Sequence, residues 1–198
     1  FCRGRIFDVV EKDCGQYDTV TEVMWVTGAA LFIRLADYRE VGGLVWHFFA
    51  HMEVIVLCWR LRCRGKKLVC IPQSVVYHVG GATLKKENPR KTFLNFRNNL
   101  LMLYKNLPDK ELEHVLFIRG ILDRVAALVF YLKKDRANAR AVMQARREFE
   151  DIRYSFAASR IENMMKSTDE IIPERTHFSI VMKYYLLGKK HFSQLKLF

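Results

Sequence analysis

GGLVWHFFAHMEVIVLCWRL, residues 42–61, decides how this chain is read. Gly42 and Gly43 set a turn, and from Ala50 the pattern becomes helical, closed by Gly65 with basic side chains in the last turn. Across the whole stretch there is one carboxylate, Glu53, amid Val, Trp, Phe, Ile and Leu. It is a buried structural segment, a membrane element, or a catalytic segment whose acids have been replaced. Glu53, His47 and His51 would be costly in hydrocarbon, and no window of eighteen residues is free of charged and polar interruption, so a spanning helix is set aside.

The surrounding composition supports a folded chain. With 198 residues, 51% of them apolar, a substantial core can be buried and disorder is excluded. Lys and Arg number 33 against 21 Asp and Glu. The excess is uneven, +4 over residues 1–90 and +8 over 91–198, so the second half is drawn more strongly to anionic surfaces. Cys2, Cys14, Cys58, Cys63 and Cys70 form no C-x-x-C pair and leave an odd count, which fits a reduced, cytoplasmic protein better than a disulfide framework or zinc site. Basic and aromatic residues interleave in RKTFLNFR, but no nucleic-acid-binding motif accompanies them and acids are spread through the same helices. Nucleic acid is therefore not expected as a partner.

Two segments follow from the punctuation. Residues 1–90 read as α/β. MWVTGAALFI is predicted to be a buried strand, LADYREVGG a short helix ending at glycine, AHMEVIVLCWRLRCRG a longer helix, and KKLVCIPQSVVYHVGG one or two strands broken near Pro72. Residues 91–198 read as an α-helical extension with helices near 91–106, 109–133, 136–166 and 177–188. The second of these carries Leu112, Leu116, Ile118, Leu122, Val125 and Val129 and runs into the basic stretch KKDRANARAVMQARREF. A bundle with a solvated basic face accounts for this pattern. So does a membrane-peripheral extension lying apolar side down on anionic lipid, with Tyr184, Tyr185 and Phe192 beside Lys183, Lys189 and Lys190 as an interfacial anchor.

Six blocks, WVTGAALFIR (25–34), EVGGL (40–44), FFAHME (48–53), LCWRL (57–61), VVYHVGGAT (75–83) and FRNNL (96–100), occur in an order and spacing that resembles the bacterial family 2 glycosyltransferases, nearest to their rhamnosyltransferase-like members. The resemblance covers about the first hundred residues and, more loosely, the helical remainder. It implies the acceptor-binding half of an A-type glycosyltransferase fold lacking the nucleotide-binding half, since neither an Asp-x-Asp nor amino-terminal βα units precede these blocks. The parent reaction would be an inverting transfer of a sugar, rhamnose being one candidate. The sugar would pass from a nucleotide-sugar donor to a glycan or lipid-linked polysaccharide precursor, with Mg or Mn, on the cytoplasmic face of the inner membrane.

In that family the glycine block continues with an acid, and the helix after FF opens with paired acids and a further acid two residues on. The matching positions here hold Val45, Val54 and Val56, with Glu53 the one carboxylate left. Inverting transfer needs a carboxylate to take the acceptor hydroxyl's proton, and valine can neither accept a proton nor orient a sugar. Val54 marks the lost base and Val56 the lost acid. Glu53 lies about 100° around the helix from Val54 and is a poor substitute. Activity is therefore expected to be absent or severely reduced, with no metal bound. An alternative reading makes Val54 and Val56 ordinary helix-core residues.

The resemblance also singles out Trp25 and Gly28 as a sugar-facing wall, Arg97 and Asn98 as substrate-binding, and His78 as a metal ligand. Each has a structural alternative: core burial, a turn, a salt bridge, or a lone histidine at a strand end. From a different class of function, the chain would be a non-catalytic protein- or membrane-interaction module, forming homo-oligomers through the apolar 44–59 surface.

Overall fold

The computed structural model describes residues 5–6, 9–78, 88–168, 172–176 and 178–195. Its strands are short. β1 (Arg5–Ile6) pairs antiparallel with β2 (Val9–Val10), and β3 (Thr21–Glu22) pairs antiparallel with β4 (Val69–Cys70). The β3–β4 ladder gains one further bond, from Val23 N–H to the Leu68 carbonyl at 2.9 Å. Between them lie α1 (Leu35–Glu40) and α2 (Glu53–Cys63).

The predicted strand MWVTGAALFI is not a strand. The Thr27 hydroxyl accepts from Ala29 N–H and starts a 3-10 turn at Gly28–Ala30, so the run cannot stay extended. Val23, Val26, Leu31 and Ile33 pack instead as irregular chain against the apolar side of α2. An apolar run suits either arrangement; a ladder also needs a neighbouring strand, and the irregular packing here needs none.

The second half is helical: α3 (Pro89–Asn106), α4 (Asp109–Leu132), α5 (Arg136–Ile152), α6 (Ala157–Met165) and α7 (Ile180–Tyr185). α3 starts cleanly because the Asn88 side chain accepts from Arg90 N–H and Pro89 occupies the first turn, where its missing donor is harmless. α4 turns into α5 through Lys134, at a left-handed φ of 63°, and Asp135 caps α5 by accepting from Asn138 N–H at 3.1 Å. The single helix expected over 136–166 is broken. At Arg153–Phe156 the chain tightens to 3-10, with the Ser155 hydroxyl donating to the Ile152 carbonyl at 2.7 Å. Both Phe149 and Phe156 are buried as a result. The expected helix over 177–188 includes residue 177, outside the described residues, and shortens to α7.

α3 is central, packed on α5, α6, α4 and α2. The larger apolar cluster joins Phe48, Val56 and Trp59 to Leu100, Leu101, Leu112, Phe149 and Phe156. One core thus crosses the predicted boundary between residues 90 and 91. Phe48, at 0% exposure, contributes about 3 kcal/mol by removing its ring from water. Among the described residues no helix is long and apolar enough to cross a membrane.

Candidate functional site

The site the sequence points to lies where the 44–52 loop meets the start of α2. Two buried side chains hold this loop. Arg60 of α2 donates to the carbonyls of Val41 and Gly43, clamping the glycine turn; burial, then repulsion from Arg64, lowers its pKa to about 10. Gly43, at φ 63°, lies so close to the Tyr38 ring that a Cβ there would fall 2.9 Å from it. Asn98 of α3, 0% exposed, donates through Nδ2 to the carbonyls of Phe48 (2.8 Å), Ala50 (2.8 Å) and His51 (3.0 Å). These bonds hold a strained path: Phe49, His51 and Met52 all take positive φ (57°, 70° and 70°), which non-glycine residues rarely adopt.

Arg97, beside Asn98, is likewise turned into the protein. Its Nη1 donates to Glu148 (2.6 Å), Nη2 to the His47 carbonyl (2.9 Å) and Nε to Asn98 Oδ1 (3.0 Å). All three guanidinium nitrogens are engaged within the chain. Arg97 and Asn98, predicted to bind substrate, therefore position the loop.

At the start of α2, Met52 takes the cap position without a side-chain bond, and Glu53 puts a carboxylate in the first turn, where the helix dipole favours it. Glu53 Oε2 and His51 Nε2 are both buried and find no hydrogen-bond partner among the described residues. Burial, with the charge of Lys91 second, holds the His51 imidazole below its ordinary pKa, while Glu53 pulls the other way. The His51 imidazole and the Glu53 carboxyl group thus share one corner. Sequence reasoning missed His51 as a site residue; its place two residues before the helix, next to the retained acid, was the available signal.

The valine positions are apolar in their surroundings as well as in identity. Val56 is 0% exposed inside the larger cluster, and Val54 packs against the smaller one, where a Cβ on Gly28 would come within 2.9 Å of its Cγ2. Gly28 and Val54 meet, and the close approach between them is a packing contact. Trp25 is half exposed, and His78 is exposed. Among the described residues no three His, Cys, Asp or Glu side chains converge on one point, so the divalent site implied by the resemblance is not assembled from them. Gly80 and Gly81, in the VVYHVGGAT block, lie outside the described residues.

The apolar 44–59 segment is not one surface. Val56, Leu57, Cys58 and Trp59 are core, because α2 turns them toward α3 and the 23–33 chain, and Phe48, in the loop before it, is core as well. Leu44, Trp46 and Phe49 remain outside. The Trp46 ring lies tilted at 48° against His47 with centroids 3.8 Å apart, and Arg90 sits 5.1 Å above the Phe49 ring. With Phe93, Leu94, Arg97 and Glu148 they line a shallow open groove of about 480 Å3. Aromatic faces beside cations suit a flat or ring-shaped polar ligand. Comparison of the chain with protein-family models, curated proteins and solved structures finds no match.

Proposed function

We propose that this chain is an acceptor-side segment derived from an inverting, family 2 A-type glycosyltransferase, and that it works without turnover. The carrying observation is the position of Val56 and Val54: where the resemblance calls for acids, the chain places a fully buried valine and a second one packed on Gly28. A carboxylate at Val56 would be an unpaired buried charge, so the substitution has been absorbed into the core. In this reading the Trp46–Phe49 groove offers a stacking surface for a glycan acceptor, and the helical half attaches the module to the cytoplasmic face of a membrane.

The test is hydrolysis and transfer from a nucleotide-activated rhamnose donor by the wild type, Glu53→Gln and Val54→Asp. The expected result is no turnover above the blank in the first two. Turnover by the wild type that vanishes in Glu53→Gln would overturn the proposal, because it would show that the remaining acid acts as the base. A gain with Val54→Asp would show that the rest of the catalytic geometry persists.

The second reading, a protein-interaction or homo-oligomerising module, is favoured by Trp46 and Phe49, 81% and 65% exposed on one turn. A fall in mass by light scattering on Trp46→Ala would favour it.

A further inference from the structure

α4 is inverted with respect to an ordinary surface helix. Its buried face carries Leu112 and Leu116 at one end, but beyond them only Gly120, Asp123 and Ala127. Asp123, 1% exposed, is held there by Arg119 of α4 and Arg146 of α5, each at 2.9 Å. The large apolar side chains point the other way. Phe117, Ile121, Val125, Leu128 and Leu132 follow one another at helical spacing, exposed by 69%, 50%, 51%, 54% and 70%. They form a continuous outer stripe roughly 22 Å long, at 1.5 Å per residue. A soluble bundle would place these residues inward and the carboxylate outward.

The stripe ends in positive charge. Lys133, Lys134 and Arg136 are exposed at the α4–α5 turn, and none of them has an ion-pair partner among the described residues. The neighbouring Asp135 carboxylate is engaged by Asn138. Tyr131, 57% exposed, carries the Arg136 guanidinium 5.9 Å above its ring, an aromatic and cation pair of the kind that sits at headgroup depth.

We propose that the outer face of α4, with the Lys133–Arg136 turn, is the surface by which this chain docks on an anionic bilayer. The helix lies in the plane of the headgroups, the stripe facing the acyl boundary and the cations meeting lipid phosphates. Charge complementarity selects this occupant over a second copy. An isologous pairing would add a chain that also carries +12, whereas an anionic surface neutralises the turn. Exposed apolar area without a spanning helix is the pattern of an interfacial helix. The proposal takes up the membrane-peripheral reading of the helical half and gives it a face; it does not depend on sugar transfer.

Flotation with vesicles of phosphatidylcholine alone, and of equal parts phosphatidylcholine and phosphatidylglycerol, tests it on the full chain. The wild type should float with the anionic vesicles and release as salt rises. Lys133→Gln with Lys134→Gln should weaken partitioning roughly twenty-five-fold, about fivefold per lysine. Ile121→Ser with Val125→Ser should weaken it by about tenfold or more, with thermal unfolding unchanged because both sites are at the surface. Failure of the wild type to float overturns the proposal and the membrane-peripheral reading together. Flotation that both double variants leave intact overturns the assignment to α4 alone. A dimer in light scattering that Ile121→Ser with Val125→Ser converts to monomer, with no lipid binding, overturns it in favour of a second copy.

Discussion

Replacing Asn98 by alanine should unfasten the 44–52 loop while leaving the helices in place. The side chain is fully buried, and its two N–H groups serve the carbonyls of Phe48, Ala50 and His51, so one of these bonds is shared. Alanine removes the side-chain donor from those carbonyls, of which that of Phe48 keeps the Ala50 N–H, at roughly 1–3 kcal/mol for each full bond lost, and frees the Arg97 Nε that Asn98 Oδ1 had accepted. Two full bonds at the middle of that range give a loss of about 4 kcal/mol, a large share of the roughly 5–15 kcal/mol that holds a domain folded. Urea unfolding followed by tryptophan fluorescence measures it. Asn99→Ala, one position on and only partly buried, is the control and should change stability by less than about 0.5 kcal/mol. Amide exchange should accelerate first in the 46–52 segment, whose left-handed residues relax once the bonds go. Equal stability of Asn98→Ala and Asn99→Ala would refute the reasoning.

Two further outcomes follow from buried contacts. Burial, reinforced by Arg60, holds the Lys105 ammonium down to about 8 from 10.5. Below the lower value it is charged in both states and the full penalty applies; between the two the unfolded chain binds more protons, so stability rises with pH. Lys105→Met should therefore stabilise the protein by roughly 1–3 kcal/mol at pH 7, a gain that fades toward pH 10.5; a gain constant in pH would contradict this. Gly28→Ala should lose about 1–2 kcal/mol by driving a Cβ to within 2.9 Å of Val54 Cγ2, and Val54→Ala should relieve it. A double-mutant cycle with coupling below roughly 0.5 kcal/mol would show that the two do not meet.

The helices were legible where local chemistry marks their ends. Gly65 closes α2, Pro108 separates α3 from α4, and the basic turn after Leu132 divides α4 from α5. What failed needed information from elsewhere in the chain. MWVTGAALFI has the composition of a strand, but Val26, Leu31 and Ile33 are partly buried against α2, with no ladder beside them among the described residues. The break at Arg153 depends on where Phe149 and Phe156 find room, which no periodicity encodes. In α4 the apolar positions were visible, but Ile118, Val125 and Val129 lie outside and Asp123 inside, because apolar residues occupy both faces and Arg146 comes from another helix. The site shows the same division. Glu53 and the valines could be read from the stretch itself, whereas Asn98 and Arg97 hold backbone carbonyls some fifty residues earlier, and a carbonyl leaves no mark in a sequence.

The core shared between α2 and α3 bears on how the molecule would respond to a cut. A protease that severs the chain between residues 78 and 88 would leave Phe48, Val56 and Trp59 seated against Leu100 and Leu101, and Asn98 still bonded across the gap. The two pieces should migrate together until denaturant parts them, and expressed separately they should recombine as complementing fragments, each insoluble without the other.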